Sequence, residues 1–317
     1  MARVAAIDCG TNSIRLLVAD VTEREDGTVA LRDVHREMRI VRLGEGVDAT
    51  GRLGVAALMR TRDALADYTM ICRRKGAERV RMVATSATRD ASNRDDFFTM
   101  TRELLGVAAE VISGDEEARL SFTGAVGDLE PADGPFVVSD IGGGSTELVV
   151  GTWDGKRADI TGACSVDIGC VRITERCLPS DPPTAAEVAA ARALAAETLQ
   201  RAFDTVPVAG ARTWIGVAGT ITTLSAVAQS LPGYDSEEIH LSSLTGDDIA
   251  YTARLLLGAS HAQRERHPAI HPGRVDVIGG GAVITEVLAE KLAETAGIRE
   301  LLVSEHDILD GIALSLR

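Results

Sequence analysis

No run of about eighteen apolar residues occurs in the 317-residue chain, which excludes an ordinary membrane-spanning helix. Nor does the N-terminal stretch MARVAAIDCG join a charged segment to a long apolar one, so no secretory leader is expected and the cytoplasm is the expected compartment. Basic charge is also scarce. Lys and Arg number 33 against 47 Asp and Glu, a formal net charge of −14, so general binding to nucleic acid or to an anionic membrane, which needs a basic footprint, is not expected. Any polyanion would have to be held locally, by backbone N–H groups, a few arginines and metal ions. Cys9, Cys72, Cys164, Cys170 and Cys177 are odd in number and lack paired metal-ligand spacing, so reduced thiols are expected. The histidines His35, His240, His261, His267, His271 and His306 are dispersed along the sequence and are expected to form no metal cluster. No stretch is of low complexity.

With 45% hydrophobic and 25% charged residues the composition is that of a globular protein, and the length favours two domains over one core. Short strands are expected at Arg3–Asp8 and Ile14–Asp20, followed by a β-rich stretch from Thr28 to Leu43. A helix from about Leu53 to Lys75 should stop at Gly76, where glycine suits a left-handed cap. The strand Arg79–Ala84, a helix closing at Gly106, the strand Ala109–Ile112 and a helix opening in SGDEEARL complete a βββαβαβα half. Strands are next expected at Phe136–Asp140, Glu147–Gly151, Arg212–Val217, Val275–Ile278 and Leu301–Val303. Thr184 with Glu187, and Thr245 with Asp248, mark helix starts.

The second half repeats the first. IDCGTNSIRLLV and SDIGGGSTELVV align Asp8 with Asp140, Gly10 with Gly142 and Ser13 with Ser145, at an offset of 132 residues. An Asp-x-Gly turn between strands can gather backbone N–H groups around an anion, and glycine allows its close approach. Four glycine-rich turns occur: DCGTNS (8–13), DIGGGST (140–146), GVAGT (216–220) and IGGGA (278–282). The last two precede expected helices, whose N-termini favour negative charge. One glycine run is weak evidence, but four in repeated context point to phosphate.

DCGTNSIRLLV, ATSATRDA, SGDEEARLSF and DIGGGSTELVV, in this order and spacing, resemble the exopolyphosphatase and guanosine pentaphosphate phosphohydrolase (Ppx/GppA) family of the actin, hexokinase and Hsp70 superfamily. The resemblance covers nearly the whole chain and is similar to the short, two-domain form. It implies an α/β fold of two ribonuclease-H-like domains with mixed sheets flanked by helices and the active site in the interdomain cleft. Residues 1–124 plus 305–317 are expected to form the N-terminal domain and 125–304 the C-terminal one. It implies Glu117 as the base that activates water, Asp140 and Glu147 as ligands of Mg2+, with Mn2+ as the alternative ion, and a phosphate contact from Arg89 in the ATSATRDA loop. Asp8, the repeat partner of Asp140, is a candidate further metal ligand, directly or through water. Thr11, Asn12 and Ser13 are expected to hold one phosphate, Gly143, Gly144, Ser145 and Thr146 another, with Gly219 and Thr220 at the third turn. Arg15, aligned with Glu147, is expected to lie away from the cleft. Adjacent helical residues point about 100° apart, so only one of Glu116 and Glu117 should face the site.

The implied reaction removes the terminal phosphate of inorganic polyphosphate one unit at a time. Guanosine pentaphosphate is the alternative substrate, although the segment SEHDILDGI departs from the Gly-Leu-Arg type of sequence of many members. A homodimer is implied as well. A kinase of the same superfamily predicts ADP formation dependent on an acceptor, and an actin-like nucleotide-binding switch predicts slow ATP turnover. SGDEEA argues for the hydrolase over both.

Overall fold

The computed structural model describes residues 2–317, and no helix among them is long and apolar enough to cross a membrane. The chain divides into two compact units. The first comprises the residues up to Gly127 with Gly155–Arg157 and Asp307–Arg317; the second comprises Asp128–Asp154 and Ala158–His306.

In the first unit, β1 (Ala2–Cys9), β2 (Ser13–Glu23), β3 (Val29–Ile40), β4 (Arg79–Ala84) and β5 (Glu110–Val111) form one sheet in the order β3-β2-β1-β4-β5. The first three strands make an antiparallel meander, and β4 and β5 add in parallel. Strand alternation sends Ala5, Ile7 and Cys9 into one core with Leu65, Tyr68 and Phe97, and Val4 and Ala6 into another with Ile308, Leu309 and Ile312. Each such apolar side chain contributes about 1.5–3 kcal/mol when fully buried. Tyr68 also satisfies its hydroxyl by donating to Ile14 O at 3.0 Å. The same alternation puts Asp8 on the face of Val4 and Ala6, towards the helix Ile308–Leu314.

The second unit contains β6 (Phe136–Ile141), β7 (Thr146–Trp153), β8 (Ala158–Val166), β9 (Thr213–Val217), β10 (Ser243–Thr245) and β11 (Glu300–Val303), in the order β10-β11-β9-β6-β7-β8. Read from β8, the order is that of the first sheet: three antiparallel strands, then β9 and β11 in parallel, with β10 as an additional antiparallel edge. The sequence repeat is thus a repeat of topology. Both are mixed sheets flanked by helices, the architecture expected of two ribonuclease-H-like domains.

Helix ends follow local chemistry. Gly76 takes φ 74° and its N–H reaches Arg73 O and Cys72 O, closing the helix Val55–Lys75. Capping boxes form at Thr184 with Glu187 and at Thr245 with Asp248. Two expectations fail. ATSATRDA is not a loop, since Ser86–Asp90 forms a short helix. Val275–Ile278 is not a strand; a tight 3-10 turn at Pro272–Arg274 leads into the helix Ile278–Ala296. Asp276 interrupts the apolar run Val275–Ile278, residues 275–277 form a turn, and the long periodic segment from Ile278 is helix. Its glycines do not form a phosphate turn. A Cβ at Gly280 would lie 2.7 Å from Cys170 O, and one at Gly281 would lie 2.4 Å from Thr220 Cγ2, so both serve close packing.

Candidate active site

The two Asp-x-Gly turns share one backbone hydrogen bond. Gly10 N–H donates to Ser13 O at 2.9 Å and Gly142 N–H to Ser145 O at 3.0 Å, at equivalent places in their hairpins. In the first turn the carbonyls of Thr11 and Asn12 accept from Gly44 and from Val41 and Arg42; in the second, those of Gly142 and Gly143 accept from Cys170, Val171 and Arg172. A trans peptide points its N–H opposite its C=O. The N–H groups of Asn12 and Ser13, and of Gly143 and Gly144, are therefore aimed away from the segments that bind the carbonyls. Thr11 contributes its hydroxyl to a 2.9 Å bond with Ser86 Oγ, and Thr146 donates its hydroxyl to Ile168 O at 2.6 Å. The side chains of both therefore hold their turns in shape.

The strands leading from the turns differ. Asp8 pairs across the ladder with Arg15, whereas Asp140 pairs with Glu147. Arg15 engages the aspartate opposite it. It donates to Asp8 Oδ2 through Nε at 3.0 Å and Nη2 at 2.7 Å, and also to Asp307. Residues directly opposite on an antiparallel pair share a face, which brings Arg15 to Asp8. Asp8 Oδ1 is buried without a hydrogen-bond partner, and burial pushes the Asp8 carboxyl up despite Arg15.

Asp140 and Glu147 are buried carboxylates facing each other across the ladder, and Ser165 Oγ donates to Glu147 Oε1 at 2.6 Å. Like charges in this position repel and are costly to bury. An oxygen-only donor set of this kind suits a hard divalent ion such as Mg2+ or Mn2+. In the first unit, the buried Oδ1 of Asp8 is an unpartnered oxygen acceptor. The residues fit the implied metal.

Glu117 lies in the first turn of the helix Gly114–Ala125, started by Ser113, whose hydroxyl accepts from Glu116 N–H. The two neighbouring glutamates diverge as the helical twist requires. Glu117 is buried and accepts from Arg89 Nη1 at 2.9 Å, while Glu116 is half-buried and pairs with Arg81 at 2.6 Å. The same Arg89 nitrogen donates to Ile112 O at 3.0 Å, so the arginine fixes the Glu117 carboxylate against β4 and β5.

A cation absent from the expected set stands at the third glycine turn. β9 enters the helix Ala218–Ala228 through Ala218 at φ 69°, a strained conformation for a residue with a side chain. Next to it, a Cβ at Gly219 would lie 1.6 Å from Arg274 Nη1, so the guanidinium occupies the space a side chain would need. Arg274 Nη1 donates to Thr223 Oγ1 at 3.3 Å, and Thr220 is buried in the same turn. An arginine beside a helix N-terminus sets side-chain and backbone donors together, an arrangement suited to an anion. Arg274 was hidden in the sequence by the strand expected immediately after it; the run HPGR ahead of a helix was the available signal.

Two histidines also escape the expected dispersal. His240 and His306 have ring centroids 4.7 Å apart and share the Asp128 carboxylate. The fold joins residues that sequence distance kept apart.

Paired phosphate-type turns, a buried carboxylate pair and an arginine-held glutamate define a two-domain phosphate-handling protein of the actin-like class. The Ppx/GppA phosphatase family model matches residues 18–316, and the chain belongs to that family. It is 59% identical to Exopolyphosphatase 2 of Mycobacterium tuberculosis over 100% of this chain and 99% of that protein. It is 34% identical to the guanosine-5'-triphosphate,3'-diphosphate pyrophosphatase of Aeromonas salmonicida, over 70% of this chain and 43% of that one. The crystal structure of an exopolyphosphatase-like protein superimposes with a TM-score of 0.93 at 42% identity, covering 99% of this chain and 98% of the other.

Proposed function

We propose that the protein is an exopolyphosphatase that releases orthophosphate from the end of inorganic polyphosphate. The observation that carries the reading is the buried Glu117 held by Arg89, a carboxylate fixed in one orientation and suited to accept a proton from water. Turn N–H groups of Asn12, Ser13, Gly143 and Gly144 bind phosphoryl oxygens, and Arg274 with Gly219 and Thr220 binds a further phosphate. Arg89 contributes charge as well as holding Glu117. Asp140 and Glu147 would hold Mg2+, or Mn2+, which would supply neutralisation of phosphoryl charge, and Asp8 is the candidate further oxygen ligand. Glu117 takes the proton of the attacking water as its oxygen approaches the terminal phosphorus, and the shortened chain departs with the bridging oxygen.

The five free cysteines, several with thiols pushed up by burial, support a reducing cytoplasm as the compartment. The homodimer remains part of the reading through the resemblance. Guanosine pentaphosphate is the second substrate to test, favoured by the Aeromonas salmonicida relative. The test is orthophosphate release in Mg2+ from short polyphosphate, long polyphosphate, guanosine pentaphosphate and ATP. Glu117→Gln should lower release roughly 10²- to 10⁴-fold. Release chiefly from the nucleotide would transfer the function to nucleotide signalling, and release unchanged in the variant would remove Glu117 from the chemistry.

A further inference from the structure

Asp128, His240 and His306 belong to the second unit and come from three separate segments: the stretch after the helix Gly114–Ala125, the end of the helix Ser236–Ile239, and the stretch after β11. Each offers one ligand atom, and the three atoms lie within 4.8 Å of one another. Asp128 Oδ2 is 3.4 Å from His240 Nε2 and in direct contact with His306 Nδ1. Their surroundings hold them. Glu305 N–H donates to His240 Nδ1 at 3.2 Å, and Ser304 Oγ both accepts from His306 N–H and donates to His306 O. All three side chains remain partly exposed, which leaves a path for an ion and room for water ligands.

We propose that these residues bind one borderline divalent transition ion of the zinc or cobalt class, at a site distinct from Asp140 and Glu147. Two imidazole nitrogens with one carboxylate are poor ligands for Mg2+ and suitable ones for Zn2+ or Co2+. Binding requires the lone pair on Nδ1 of His306 and on Nε2 of His240, so each neutral ring carries its one proton on the other nitrogen, Nε2 of His306 and Nδ1 of His240. The proton on His240 Nδ1 ends the bond from Glu305 N–H. The Glu305 carboxylate accepts from the Tyr234 hydroxyl at 2.6 Å, and that hydroxyl lies 2.8 Å from Thr222 Oγ1. Thr222 is on the helix that begins at Ala218. Occupancy is thereby linked to the segment behind the Gly219–Thr220 turn.

The test is titration of the chelator-stripped full chain with Co2+. One equivalent should give the strong visible ligand-field band of a nitrogen-containing, low-coordinate site, displaced by Zn2+ and not by excess Mg2+. The His240→Ala/His306→Ala double variant should lose the band while keeping phosphate release in Mg2+. Circular dichroism checks its folding. If it does not fold, His306→Gln decides, with Co2+ affinity expected to fall roughly tenfold or more. No band, a band displaced by Mg2+, a band retained in the folded double variant, or undiminished affinity in His306→Gln would each overturn the site.

Discussion

The Asp8 hairpin of the first unit and the Asp140 hairpin of the second share strand order, turn hydrogen bond and cross-strand register, yet opposite Asp8 stands Arg15 and opposite Asp140 stands Glu147. The first pair is neutralised from within the protein, with Arg15 also engaging Asp307. The second is two acids on one face, an oxygen donor pair of the kind that suits a divalent cation. One residue at one ladder position thus separates a turn stabilised by the chain itself from a turn suited to a metal.

The largest effect is expected from removing the internal cation. Arg15→Leu leaves Asp8 and Asp307 buried without their shared partner, a loss of about 3–5 kcal/mol in denaturant unfolding. Unchanged stability would show that Arg15 does not neutralise this pair.

Asp140→Asn acts on the other turn. A bound divalent ion contributes several kcal/mol to charge stabilisation in the transition state, so phosphate release should fall roughly 10²- to 10³-fold and need more Mg2+. Folding should be retained, which circular dichroism checks. Equal Mg2+ dependence in Asp140→Asn and the parent chain would move the ion elsewhere.

Glycine contacts offer a subtler contrast. A Cβ at Gly169 would lie 2.4 Å from Gly143 C and O, backbone atoms of the second turn, whereas one at Gly44 meets first the Thr11 side chain at 2.3 Å. Gly169→Ala should cost about 1–3 kcal/mol and raise KM by displacing the turn. Gly44→Ala should cost less, since a side chain yields more readily than a backbone. The reverse order would mean that the second turn tolerates movement.

Much of this was legible in the sequence because it is local or repeated. The 132-residue repeat exposed the paired hairpins, Ser113 marked the helix that carries Glu117, and Thr184 with Glu187 marked a helix start. What stayed hidden depends on tertiary partners. Arg15 could be aligned with Glu147, but its engagement with Asp307 joins residues at opposite ends of the chain. Arg274 acquires meaning only when Gly219 leaves room for it. The glycines at 279–281 read as a turn because periodicity cannot separate a short buried strand from a buried helix. His240 and His306 required β11 and the helix Ser236–Ile239 to be brought together.

The smallest effect belongs to an arginine-held carboxylate that has no part in either turn. Asp20, on β2, accepts from Arg3 at 2.7 Å and 3.0 Å and from Arg32 at 2.5 Å, and these bonds pull its carboxyl down to about 2. A depressed folded-state pKa stabilises the fold above the unfolded value of about 3.9 and loses that stabilisation as the pH falls through 3.9 towards 2. Arg32 is largely solvent-exposed, so screening reduces the contribution at neutral pH to about 1–2 kcal/mol. Asp20→Asn should therefore be less stable than the parent at pH 7, with the gap narrowing as acid protonates Asp20. Urea unfolding at a series of pH values measures this, and phosphate release at saturating Mg2+ should not change. A gap that widened in acid would reverse the sign assigned to the Arg3 contact, and a loss of Mg2+-dependent release would extend the functional difference between the hairpins well beyond their turns.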